Sequence, residues 1–409
     1  MIHLFLDASA ASSGSGPTYV RNVVPHLAAR ADLRSTILVS SALRREFQAQ
    51  SQELSNLSFV EFANENVGTG TRFLRSQKSI PALLRRSGAN MLVSAGNMAL
   101  FRSPVPQILL SGNALYTSND FYRDVVERGD YRLWLDTKIK GQIAEWSVKV
   151  ADCTVAPSQA FADEIQRWTG VRARAIPHGF DRELFFRNTE PLPLELRNKL
   201  GRTIREQTSA DRTSDELRLL FVSHYNYYRN FETLIRAAAI VKKLISPRPI
   251  KLFLTCRLQP GANPGSYSPE TAARLVKDLG LASNVVELGS VPYHLLHHVY
   301  RACDLYVTPA YVETFAHPLV EAMASGLPVI ASDLKVHREV CGDAALYFPA
   351  FSASRLAETV MKAAESREAS LKMSNQGLER SRSFSWNTHV AQIISIAETL
   401  IREKAFGTS

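Results

Sequence analysis

Short apolar runs alternate with amphipathic stretches along most of this chain, and that alternation limits what it can fold into. IHLFLD (2–7), STILVS (35–40), LSFVEF (57–62), NMLVSAG (90–96), VPQILLSG (105–112) and DCTVAPSQ (152–159) are too apolar to face water on either side. RARAIPHGFD (172–181) reads as the last strand of this half and its exit turn. SSGSGPTYVRNVVPHLAAR (12–30) is a Gly/Ser loop opening onto a helix with Val20, Val23, Val24, Leu27 and Ala28 on one face. Pro25 inside that helix is expected to kink it. Strands buried on both faces and joined by helices call for a parallel sheet covered on both sides.

The alternation then stops. Residues 181–216 are polar, charged and Pro-marked and read as an interdomain connection, with a helix expected around 194–205. It restarts with strands expected at 217–225, 251–256, 285–291, 304–309, 328–333 and 344–348, and helices at 230–244, 268–281 and 352–366. The predicted architecture is α/β, two Rossmann-like doubly wound parallel-sheet domains facing across a cleft. The expected boundaries are 1–180, a linker at 181–216, and 217–385. A C-terminal helix at 386–405 has Val390, Ile393, Ile394, Ala397 and Leu400 on one face. A chain of 409 residues suits two such domains.

The run VTPAYVETFAHPLVEAMASGLPVIASD (307–333) carries the densest functional signal. It reads strand, loop, short helix, strand. Pro318 suits the first helical position, Gly326 a left-handed cap, and Pro328 a stop, giving a helix over 318–325. Glu313 falls in the loop before that helix and Glu321 one turn inside it. A helix start favours an anion, and carboxylates accept from hydroxyls, a combination suited to a nucleotide-sugar. On spacing alone, two such glutamates can equally be solvated helix residues.

With Phe315, His317-Pro318, Glu321-Ala322-Met323 and Gly326-Leu327-Pro328-Val329 around them, the run resembles the large family of retaining glycosyltransferases with the two-domain GT-B fold. Their signature is Glu, seven residues, Glu, then Ala-Met and a Gly-x-Pro-Val turn. The resemblance is dense over 304–348 and looser elsewhere. It implies that Glu313 approaches the donor sugar and that Glu321 accepts from the ribose hydroxyls. It also implies that Arg229, where the family has Lys, clamps the diphosphate beside the backbone around Ala316, His317 and Pro318. His224 stands where the family usually has Arg. The glycine loop with Gly14 and Gly16 lies near phosphates or acceptor, Val291 near the base, and the C-terminal helix returns to the first domain. Asn113 stands where many members carry His; it suits a sugar or acceptor hydroxyl or a plain turn. IPHGFD, with His178 and Asp181, matches a turn at the domain junction.

The implied activity is transfer of a hexose, with mannose one candidate, from a UDP- or GDP-sugar to a glycan or lipid-linked acceptor, without a metal or resident cofactor. No D-x-D occurs, against the metal-dependent single-Rossmann class. The alternatives are a degenerate copy that only binds nucleotide-sugar, and an epimerase on the same fold.

Bulk properties narrow the partners. The net charge is +9 and the pI about 9.4. No zinc-finger spacing or aromatic–basic signature points to nucleic acid. Basic clusters at Arg72, Arg75, Lys78, Arg85, Arg86 and at Arg123, Arg128, Arg132, Lys138, Lys140 read either as solvated helix faces or as attraction to anionic lipid. No run spans a membrane, the N-terminus lacks a basic leader, and the four scattered cysteines read as small buried hydrophobes. The expected location is the cytoplasm, with peripheral contact on the inner membrane face.

Overall fold

A computed structural model of the chain describes residues 1–11, 15–47, 56–62, 68–187, 191–201 and 216–406. The described residues divide into two compact units. The first comprises 1–117, 134–179 and the C-terminal segment from Ser385; the second comprises 118–133 and 180–384.

The first unit is built on seven strands: β1 (Ile2–Asp7), β2 (Leu33–Val39), β3 (Leu57–Glu61), β4 (Met91–Ser94), β5 (Gln107–Leu110), β6 (Cys153–Ala156) and β7 (Arg174–Ala175). Their order is β3-β2-β1-β4-β5-β6-β7, every pair parallel. The side-chain alternation of β1 fixes both layers. Leu4 and Leu6 join Val20, Val23, Val24 and Leu27 of the Ser15–Ala28 helix and Ile393, Ile394 and Ala397 of the Trp386–Phe406 helix in one core. Phe5 turns the other way, onto Ile80 and Leu84 of the Thr69–Ser87 helix. Each such fully buried Leu, Ile or Phe is worth about 1.5–3 kcal/mol, so both helix layers are fastened by the strand's own pattern. The first helix runs through Pro25 to Ala28.

The C-terminal helix is locked to this unit by a close approach. A Cβ on Gly179 would meet the Trp386 amide nitrogen at 2.1 Å, so only glycine lets the chain pass there. His178 stacks on the Trp386 ring at 5.2 Å, and His389 bridges the Tyr19 hydroxyl (3.0 Å) and the Pro177 carbonyl (3.1 Å).

The second unit has six strands: β8 (Leu217–Phe221), β9 (Ile250–Leu254), β10 (Val285–Glu287), β11 (Leu305–Thr308), β12 (Val329–Ser332) and β13 (Ala345–Phe348), ordered β10-β9-β8-β11-β12-β13 and all parallel. The order reverses between β8 and β11, so the loops leaving those strands diverge to opposite faces and open a crevice at their carboxyl ends.

Two expectations need correction. Residues 118–133 belong to the second unit, not to the first domain. The reason is a half-buried polar network: Asp124, on the Asn119–Glu127 helix, accepts from the Tyr311 hydroxyl (2.5 Å), and Arg128 bonds both Asp124 (2.8 Å) and Glu232 (3.0 Å) while lying 4.3 Å over the Tyr227 ring. The connection is also less extended than predicted, because residues from Phe180 onward pack into the second unit; its described helix is Leu194–Leu200, closed by Gly201 in the left-handed region at φ 66. Residues 202–205 of the predicted helix lie outside the described residues.

Candidate active site

The crevice at the β8/β11 switch point is laced shut at its base. Asn230, at φ 55, takes the left-handed turn between the strand-exit loop and the Phe231–Leu244 helix, a conformation Asn tolerates better than most residues. Its buried side chain donates to the Pro309 carbonyl at 3.2 Å. The Tyr311 amide donates to the Tyr228 carbonyl at 3.0 Å. These two bonds hold the loop after β8 against the loop after β11 and bring Arg229 and Glu313 together.

Arg229 and Glu313 form an ion pair through Nη1 and Oε2, with side chains 24% and 10% exposed. Burial alone would raise the Glu313 carboxyl; the Arg229 guanidinium and a hydrogen bond from the Thr314 amide (2.9 Å) reverse this and hold it at about 2. Burial likewise opposes the Arg229 charge, and Glu313 outweighs it, keeping the guanidinium above its ordinary value. The sequence reading gave these residues separate tasks, on sugar and on phosphate. The fold puts them in contact, so any anion that reaches the cation shares it with the carboxylate or displaces it.

The predicted short helix is His317–Ala324, so Pro318 takes its second position rather than its first. It ends as expected: the Gly326 amide donates to Met323 (3.0 Å) and the Leu327 amide to Ala322 (2.9 Å), with Gly326 at φ 68. Ala316 enters the helix at φ 66, a conformation alanine adopts at a cost of roughly 1–2 kcal/mol. The residue is buried, as are Phe315 and Glu321. That strained entry turns the positive end of the helix dipole toward the loop that carries Glu313.

Glu321 is 3% exposed and accepts from the Tyr300 hydroxyl at 2.8 Å. Burial, with Asp181 adding and Tyr300 opposing, raises its carboxyl to about 7. His317 is lowered to about 4 by burial despite Glu313 nearby, and His224 is lowered by burial and by Arg229. Both imidazoles are therefore neutral at pH 7, which leaves Arg229 as the cation that the predicted constellation contributes.

The remaining predicted residues are more dispersed. Val291 lies in the loop after β10. Gly16 approaches the Ala11 backbone so closely that a Cβ would sit 2.8 Å from its Cα, a packing reason for glycine. Asn113 caps the turn Ala114–Tyr116, accepting from the Leu115 amide at 3.1 Å. Gly14 lies outside the described residues.

Three contributors escaped sequence reasoning. Tyr300 orients Glu321, and the Asp124–Arg128 pair braces Tyr311. His337, fully buried, places Nδ1 2.8 Å from the Ser332 carbonyl and leaves Nε2 without a hydrogen-bond partner among the described residues, within the electrostatic reach of Glu313 and Arg229. Its only sequence signal was its place just after the last strand of the signature run.

Two all-parallel doubly wound units make up the GT-B fold. The same two-domain fold recurs in a sucrose-phosphate synthase from Thermosynechococcus elongatus, at TM-score 0.75 and 18% identity over the whole of both chains. It recurs in Anabaena HepE in complex with UDP and glucose (TM-score 0.71, 16% identity, 98% of this chain and 100% of that one). WaaG, a glycosyltransferase involved in lipopolysaccharide biosynthesis, matches at TM-score 0.67 and 16% identity over 98% and 99% of the two chains. The model of the family "Glycosyl transferases group 1" matches residues 203–380. A D-inositol 3-phosphate glycosyltransferase from Corynebacterium aurimucosum is 26% identical over 54% of this chain and 50% of its own length. An O-antigen chain mannosyltransferase B from Escherichia coli is 29% identical over 28% and 30%. The chain spans about half the length of the first of these curated relatives.

Proposed function

We propose that the protein is a retaining glycosyltransferase that moves a hexose from a nucleoside-diphosphate sugar to a glycan or lipid-linked acceptor. The observation that carries this reading is the Arg229–Glu313 pair at the carboxyl ends of β8 and β11, followed by Glu321 one turn inside the His317–Ala324 helix. Glu321 accepts from the ribose diol, exchanging its Tyr300 partner for, or sharing it with, the ligand. Glu313 accepts from sugar hydroxyls. Arg229 and the positive end of the His317–Ala324 helix meet the diphosphate.

As the C1–oxygen bond breaks, negative charge grows on the departing diphosphate and positive charge on the sugar. A cation and a helix dipole already in place stabilise the first, and a carboxylate held ionised stabilises the second. The acceptor hydroxyl attacks from the leaving-group face, its proton passing to the departing phosphate oxygen. The reading assigns no metal or resident cofactor a step. The relatives named for inositol-phosphate and mannosyl transfer, and the neighbour in complex with UDP, support the donor class.

The test pairs a thermal-shift screen of UDP- and GDP-sugars with donor turnover, with and without acceptor. Wild type should be stabilised by one nucleotide class and turn its sugar over. Glu313→Gln should keep nucleotide-dependent stabilisation while turnover falls at least a hundredfold. A wild type that binds nucleotide but turns over none of these donors would overturn transfer in favour of binding alone.

A further inference from the structure

The helix Tyr131–Val150 is apolar on two opposite sides, and only one of them is covered. Thr137, Gly141, Ala144 and Val148 are buried against the first unit. Leu135, Ile139, Trp146 and Val150 project on the reverse side and are 54%, 55%, 50% and 45% exposed. At about 100° per residue these four fall within an arc of roughly 60°, about half a turn from the buried face. An ordinary surface helix shows one apolar stripe and one polar face, so the second stripe calls for a solvent other than water.

The stripe is continuous with its surroundings. Phe101, 38% exposed, packs edge-on against Trp146 (6.4 Å) and Phe73 (5.4 Å), joining the stripe to the Thr69–Ser87 helix. That helix exposes Leu74 (64%) and carries Arg72, Arg75, Lys78, Arg85 and Arg86 with no acidic residue. The acidic residues of the Leu135–Val150 stretch are both matched within the helix, Asp136 by Lys140 (2.5 Å) and Glu145 by Lys149 (2.6 Å). The patch is thus an apolar and aromatic ridge bordered by excess positive charge.

We infer that this face of the first unit docks on an anionic lipid bilayer, with Leu135, Ile139 and Trp146 entering the headgroup boundary and the basic helix facing lipid phosphates. The charge selects this occupant. A second copy meeting the face by two-fold symmetry would set five cations of one Thr69–Ser87 helix near five of the other. An anionic surface attracts the same residues, and an indole at the rim suits the lipid–water boundary. The second-unit residue Arg128, part of the basic cluster read from sequence, takes no part, since Asp124 and Glu232 bind it. This inference stands apart from the proposed donor chemistry and needs no turnover to test.

The experiment is co-flotation of the full chain with phosphatidylcholine vesicles, with or without phosphatidylglycerol, at low and high salt. Wild type should float with the anionic vesicles only, and less at high salt. Ile139→Ser/Trp146→Ser should lower partitioning at least tenfold, and Lys78→Gln and Arg85→Gln by about fivefold each, with melting temperatures close to wild type because all four side chains lie at the surface. No flotation of wild type, equal flotation on uncharged vesicles, or variants that float like wild type would each overturn the inference. Sedimentation in which wild type is a dimer and Ile139→Ser/Trp146→Ser a monomer, without vesicle binding by either, would overturn it in favour of self-association.

Discussion

Replacing Arg229 by Met should destabilise the protein in a way that depends on pH, because the guanidinium is what keeps Glu313 ionised out of water. The carboxyl falls from an ordinary 4.5 to about 2 in the fold, although burial acts in the opposite direction. That depression alone corresponds to about 3 kcal/mol. Removing one partner of a buried pair strands the other, at about 3–5 kcal/mol. For a unit of this size the melting temperature should drop by roughly 10 °C at pH 7.

The direction with pH follows from the same shift. A depressed carboxyl contributes stability that is present above its unfolded value and lost as pH falls through the folded one. In the variant, burial acting alone should push Glu313 above 4.5, so acid relieves the stranded charge. The gap between wild type and Arg229→Met should therefore be widest near pH 7 and narrow between about pH 5 and pH 2. Differential scanning calorimetry across that range measures it. A gap below about 1 kcal/mol at pH 7, or one that stays constant down to pH 3, would refute the claim that the guanidinium is what keeps Glu313 ionised.

Two further outcomes are expected. Glu321 is raised to about 7, so its contribution to the ligand-free protein is present in acid and lost as pH rises through 7; Glu321→Gln should melt higher than wild type at pH 8 and similarly at pH 5, while nucleotide-sugar affinity weakens, and parallel melting curves for the two proteins across that range would contradict it. Gly179→Ala should cost about 3 kcal/mol or more, because the new methyl collides with the Ser385–Trp386 backbone and with the Trp386 side chain; the readout is accelerated proteolysis of the C-terminal helix, and a melting temperature like wild type would count against the close approach.

What could be read along the chain is what depends on near neighbours. Among the described residues thirteen strands overlap the runs read as strands, and the central ones, such as β4, β8, β11 and β12, are buried along their whole length and so need no partner to declare themselves. The signature helix ends at Ala324, one residue before the expected end, with Gly326 in the expected left-handed cap, since Gly326 and Pro328 act within one turn of it. Its start shifted by one residue because Ala316, an unremarkable residue in sequence, took the left-handed entry.

What the tertiary structure alone decided are the meetings of distant residues. Arg229 and Glu313 are separated by 84 positions and touch because β8 and β11 are neighbours in the sheet. Tyr300 reaches Glu321 from another helix, and residues 118–133 leave their sequence neighbours because Asp124 and Arg128 find Tyr311 and Glu232 there. Periodicity records which way a side chain points relative to its own element. Ionisation states depend on which charges and how much water the other elements leave beside it, so both glutamates were visible in the sequence while their opposite shifts, one to about 2 and one to about 7, were not.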